Sequence, residues 1–78
     1  MKEVPSNSER LVAFGARVRQ ARTAAGLSQE ALAHHAGLHR TYVSSVERGE
    51  RNIALINIVL LAEALNIDAG ELVGRLHN

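Results

Sequence analysis

The sequence predicts an all-α fold of five short helices in one compact domain. Three observations predict it. Apolar residues recur at helical spacing along the chain, and no strand-like alternation of useful length occurs. Glycines and small polar residues cut the chain at intervals suited to helix ends. The chain has 78 residues, 46% of them hydrophobic, which suffices for one small core.

The first helix is expected over residues 8–25. Leu11, Phe14, Val18 and Ala21 share one stripe, with Leu27 just beyond, while Arg10, Arg17, Arg19 and Arg22 lie on other faces. Ser8 is placed as its N-cap and Gly26 as its left-handed terminator. Residues 1–7 then form a flexible N-terminal arm, and 8–78 the folded domain. Ser28 caps a second helix, "QEALAHHA", with Ala31, Leu32 and Ala36 as its apolar positions and Gly37 as its stop. A third helix covers about residues 40–48 and ends at Gly49. The link "GLH" is short, so helices two and three meet steeply, as in a helix-turn-helix unit. A fourth helix spans residues 55–65. Asp68 caps a last turn or two, "AGELVGRL", with Glu71 at the capping-box position.

Composition removes several classes of function. There is no cysteine, so disulfides and thiolate metal sites are excluded. The start "MKEVPSNSER" lacks an apolar signal core, and "IVLLA" is far too short to span a bilayer; a cytoplasmic protein is expected. A net charge of +1 argues against a purely electrostatic DNA binder. Eight of the nine basic residues are Arg, however, the side chain suited to bidentate recognition of phosphate or guanine.

The third helix carries the unusual surface. At about 100° per residue, Val43 and Val46 fall on one side with Tyr42 at the edge. Thr41, Ser45 and Arg48 line the other, flanked by Arg40 and Ser44. Small side chains allow close approach to a major groove, and a long Arg reaches guanine N7 and O6. Arg40, Thr41, Ser44 and Ser45 occupy the N-terminal half, from which a recognition helix reads bases.

The stretch "RQARTAAGLSQEALAHHAGLHRTYVSSVERGERN" carries a family resemblance. It has Arg22 late in helix one, "GLSQ" opening helix two, "LA" within it and "ERG" closing helix three. Residues 15–67 resemble the Cro/repressor-type (XRE) helix-turn-helix family. "HRTYVSSVERGERNIAL" is most similar to the controller proteins of restriction–modification systems. The resemblance implies a repressor-like DNA-binding domain. Gln29 would bond a DNA phosphate beside the Ser28 cap. Arg40 would read guanine, Thr41 a neighbouring base or phosphate, and Tyr42 the backbone or a thymine methyl. Ser44 and Ser45 would face bases. Arg48, Arg51 and Asn52 would hold the backbone, which positions without specifying. Arg22 and Glu47 would pair as an internal clamp on the recognition helix. Controller proteins often have Asp where His39 stands, so the cap of helix three departs from their pattern.

The remaining polar residues suggest no chemistry. His34, His35 and His39 have no i,i+4 partner on one helix and no neighbouring carboxylate cluster, so no metal or other cofactor is expected. Ser44 and Ser45 lack a general base at matching spacing, and no glycine-rich phosphate loop occurs; an enzyme is not expected.

Helix four is too apolar for one buried stripe. Between Leu55 and Leu65 only Asn57 and Glu63 are polar. Ile53, Leu55, Ile56 and Val59 are candidates for a homodimer interface, and Leu61, Leu65 and Leu72 for the core. A two-fold dimer suits a pseudo-palindromic operator, with paired dimers on DNA as an extension. The resemblance to controller proteins implies a dimeric regulator of its own promoter that would activate at low occupancy and repress at high. An XRE-type antitoxin and a protein-interaction module using the helix-four face are the alternatives.

Overall fold

The computed structural model describes residues 3–77, which form five helices and, among these residues, no strand. They are α1 (Asn7–Ala24), α2 (Gln29–Ala36), α3 (Arg40–Glu47), α4 (Leu55–Leu65) and α5 (Gly70–Val73). Met1 and Lys2, assigned to the arm, lie outside the described residues.

Helix α1 begins at Asn7, so the predicted boundary at residue 8 and the Ser8 cap are corrected. The cap is Ser6. Its Oγ accepts from the Glu9 N–H at 3.1 Å, and its own N–H donates to Glu9 Oε1 at 2.9 Å. Ser8 has Leu11 three residues on and cannot receive a reciprocal bond; Ser6 has Glu9 and does. Hydrogen bonding from Ser6, chiefly from its backbone N–H, lowers the pKa of the Glu9 carboxyl from its ordinary value. Ser28 caps α2 by accepting from the Ala31 N–H at 3.0 Å. The turn into α3 passes through Gly37 at φ 70°, and the turn after α3 through Gly49 at φ 77°, both left-handed conformations that disfavour a Cβ. Before α5, the Asp68 N–H donates to Glu71 Oε2 at 3.2 Å, while Asp68 Oδ2 accepts from the Gly70 N–H at 2.9 Å.

All five helices contribute to one core: Phe14 and Val18 from α1, Leu32, Ala33 and Ala36 from α2, Val43 and Val46 from α3, Leu61, Ala62 and Leu65 from α4, and Leu72 from α5. In α2 the second buried position is Ala33, with Ala31 only half-buried, because the helix presents its face to both α3 and α4. Two arginines of α1 secure the far end of the chain. Arg17 Nη1 donates to the carbonyls of Leu72, at 3.1 Å, and Gly74; Arg10 Nε donates to that of Leu76 at 3.2 Å.

Helix α1 crosses the C-terminal end of α3 at a contact that only glycine allows. A Cβ on Gly15 would meet the Val46 carbonyl oxygen and lie 2.7 Å from that of Glu47. Gly49 closes the same contact from the other side, where a Cβ would lie 2.7 Å from Val12 Cα. Backbone atoms cannot swing aside as a side-chain tip would. Gly15→Ala should therefore destabilise by about 1–3 kcal/mol through overpacking. The helix-propensity gain of about 1 kcal/mol should not rescue it. Thermal unfolding followed by circular dichroism checks this; a raised Tm would contradict the tight crossing.

Candidate nucleic-acid interface

Helix α3 buries Val43 and Val46 completely and leaves Arg40 and Thr41 exposed at its first turn. His39 occupies the N-cap position without making a side-chain cap bond. Its ring nitrogen Nδ1 instead lies 3.2 Å from Thr41 Oγ1. The early N–H groups of α3 therefore lack a side-chain cap at an end of the helix where His39, Arg40 and Thr41 are exposed and the helix dipole is positive. Ser44 is half-buried, and its hydroxyl accepts from Arg48 Nη1. Arg48 Nη2 also pairs with Glu50 Oε1 at 3.1 Å, with both side chains more than half exposed. Such a pair is weak in water and leaves Arg48 able to exchange Glu50 for another anion.

Ser45 does not belong to the outer ridge. It is 7% exposed, donates to the Tyr42 carbonyl at 2.9 Å and accepts from Arg51 Nε at 3.2 Å. The expectation that it faces bases is corrected: one turn after Thr41 the helix has rolled Ser45 toward the loop of residues 48–54. The Arg51 guanidinium carbon lies 5.5 Å from the Tyr42 ring centroid, within cation–π range. The Tyr42 hydroxyl accepts from Asn57 Nδ2 of α4 at 3.1 Å. Asn52 is exposed.

The orientation of α3 rests on a buried carboxylate. The Glu47 side chain is 3% exposed and that of Arg22 12%. Glu47 accepts from Arg22 Nε at 2.6 Å, from Arg22 Nη2 at 3.0 Å and from Gln29 Nε2 at 3.0 Å. Arg22 Nη1 donates to the Leu27 carbonyl at 2.9 Å. Hydrogen bonding to Glu47 raises the Arg22 pKa further above its already high value, against the opposing effect of burial. The end of α1, the start of α2 and the end of α3 thus meet at one ion pair. Gln29, singled out for a phosphate, gives one amide hydrogen to Glu47; the second remains for an outside acceptor. Ser28 spends its hydroxyl oxygen on the α2 cap.

The Gln29–Glu47 and Asn57–Tyr42 bonds and the role of Gly15 are not legible in the sequence. Asn57 carried a signal, as one of two polar residues in an otherwise apolar helix. Gln29 carried none, because its partner is 18 residues away.

On α4, Leu55, Ile56 and Val59 are 72%, 66% and 37% exposed. Ile53, the fourth candidate, is half-buried against the core. Among the described residues no group of three or more His, Asp or Glu side chains is placed to hold a metal ion. None of the helices is long and apolar enough to cross a membrane.

The helix-turn-helix family profile matches residues 18–72. The chain is 52% identical over 58 residues to the control protein C.SmaI of Serratia marcescens, covering 74% of this chain and 69% of that protein. It is 46% identical over 68 residues to the control protein C.BamHI of Bacillus amyloliquefaciens, covering 86% and 83%. In structure it is similar to the restriction-modification controller protein C.AhdI from Aeromonas hydrophila, with a TM-score of 0.79 and 60% identity over 80% of this chain and 94% of that one.

Removing Arg22 would strand the buried Glu47 carboxylate. Arg22→Ala should destabilise the domain by about 3 kcal/mol, and weaken DNA binding as a consequence. Paired melting and binding measurements check this. Weakened binding with an unchanged Tm would make Arg22 a DNA contact rather than a clamp.

Proposed function

The chain belongs to the helix-turn-helix family of DNA-binding transcription regulators, and on that premise we propose that it is the controller protein of a restriction–modification system. The observation that carries the reading is the exposed first turn of α3, with Arg40 and Thr41 side by side on a helix anchored from behind by Glu47. The similarity to control proteins over most of the chain supports the same choice over an antitoxin or a protein-interaction module. The protein acts in the cytoplasm by binding, without catalysis or a cofactor. Its target is a pseudo-palindromic operator at its own promoter, contacted by a homodimer and, at higher concentration, by paired dimers. Low occupancy activates and high occupancy represses.

In this reading Arg40 reads guanine and Thr41 contacts a neighbouring base or phosphate. Ser44 lies at the edge of that surface. Arg48, Arg51, Asn52, Tyr42 and the second amide hydrogen of Gln29 grip the sugar–phosphate backbone. Two copies associate through Leu55, Ile56 and Val59, whose exposure in the single chain supports that role. The recognition helices are then presented to half-sites about one helical turn apart.

Titration against the DNA upstream of the protein's own gene, with single-base variants and random duplex at several salt concentrations, tests the proposal. Arg40→Ala should lose about 1–3 kcal/mol of discrimination at one base pair per half-site. Arg51→Ala should weaken all duplexes alike and lower the salt slope by about one for each phosphate that Arg51 neutralises. If Arg40→Ala retains the wild-type base preferences, Arg40 is not the reader. Replacing Leu55 and Ile56 together by Asp should give a folded monomer, seen by sedimentation, with strongly reduced operator affinity. A wild type that stays monomeric at micromolar concentration and on DNA would refute the dimer.

A further inference from the structure

Asn57 is out of place in α4. It stands between the exposed Ile56 and the half-buried Ile58 and is itself half-buried. Burying an amide is unfavourable unless it bonds, and Asn57 bonds one group across the fold, the Tyr42 hydroxyl at 3.1 Å. From Tyr42 the contacts continue. Arg51 lies over its ring, and Arg51 Nε donates to Ser45, whose hydroxyl donates to the Tyr42 carbonyl. The loop arginine is therefore held against α3 through its Nε and its planar face. Its two terminal nitrogens have no protein partner among the described residues, and the side chain is exposed. The bond from Asn57 also sets the polarity of the phenol: the Tyr42 oxygen accepts from the amide, so its own hydrogen is left to donate to an outside acceptor.

Resting on the DNA-binding reading above, we propose that Asn57 is a positioning residue for DNA contact. It holds Tyr42 so that the phenol donates to, and the stacked Arg51 fork faces, the anionic DNA backbone. Asn57 touches no DNA itself. It lies on the same helix as Leu55, Ile56 and Val59, so the seating of α4 bears directly on the two backbone-gripping side chains beside α3. Preorganised donors bind better than mobile ones, because less side-chain freedom is lost on binding.

The test has one arm without DNA and one with it. Tyr42 is the chain's single tyrosine, and the chain has no tryptophan, so intrinsic emission reports this ring. In the free protein, Asn57→Leu should raise iodide quenching of that emission while leaving the oligomeric state by sedimentation unchanged. Asn57→Ala, which removes the amide without adding bulk, is the second variant should the first fail to fold. In the binding arm, Asn57→Leu should weaken operator and random duplex by about tenfold, the scale of one charge-assisted hydrogen bond. Tyr42→Phe should do likewise, and the double variant should be no weaker than the worse single one. Unchanged quenching, wild-type affinity, multiplicative losses, or conversion to a monomer would each overturn the proposal. If the wild type itself fails to bind DNA, the regulator reading and the DNA role of Asn57 fall together. The quenching arm separates that result from a failure of Asn57 to hold Tyr42.

Discussion

The structure depends on one buried carboxylate. Glu47 sits at the end of α3 with its side chain almost wholly out of water, and an isolated ion there would be prohibitively unfavourable. It is tolerated because three N–H donors converge on it: two from Arg22 and one from Gln29. The requirement runs both ways. To satisfy Glu47, the end of α1 and the start of α2 must be placed against the end of α3, which sets the angle at which α3 leaves the domain. A hydrophobic contact could have filled the same space, but it would have fixed that angle less sharply, because apolar packing is non-directional and a bidentate Arg–carboxylate bond is not.

Two glycines permit this arrangement. Gly15 lets the α1 backbone lie against the last carbonyls of α3, and Gly49 turns the chain away at positive φ before it collides with Val12. The glycines bring the helices together and the ion pair aligns them. With the C-terminal end of α3 so secured, its N-terminal turn lacks a side-chain cap and presents Arg40 and Thr41. Rigidity at one end of an eight-residue helix and accessibility at the other are two sides of one packing solution.

Helix α4 serves two environments. Leu61, Ala62 and Leu65 are buried in the core, while Leu55, Ile56 and Val59 remain in water in the single chain. Its one polar intrusion on the α3 side, Asn57, is matched to the Tyr42 hydroxyl. An apolar residue there would pack, but it would leave the phenol with one partner fewer. The exposed first half of α4 is therefore tied to α3 by a hydrogen bond as well as by the core.

Helix count, the ends set by Ser28, Gly26, Gly37 and Gly49, and the buried positions Phe14, Val18, Val43 and Val46 were determined by the sequence itself, because periodicity and capping act over three or four residues. The exposed turn at Arg40 was legible for the same reason. What lay beyond that range was decided by the tertiary structure. Ser45 shares a helical face with Thr41 on a wheel, yet the loop carrying Arg51 folds over it. Ile53 precedes an exposed patch, yet it packs inward. Gln29, Asn57 and Gly15 owe their roles to partners 18, 15 and about 30 residues distant. Local propensity carries no information about which side chain will meet a given polar group across the fold; that is settled only when the helices pack and every buried donor and acceptor must be paired.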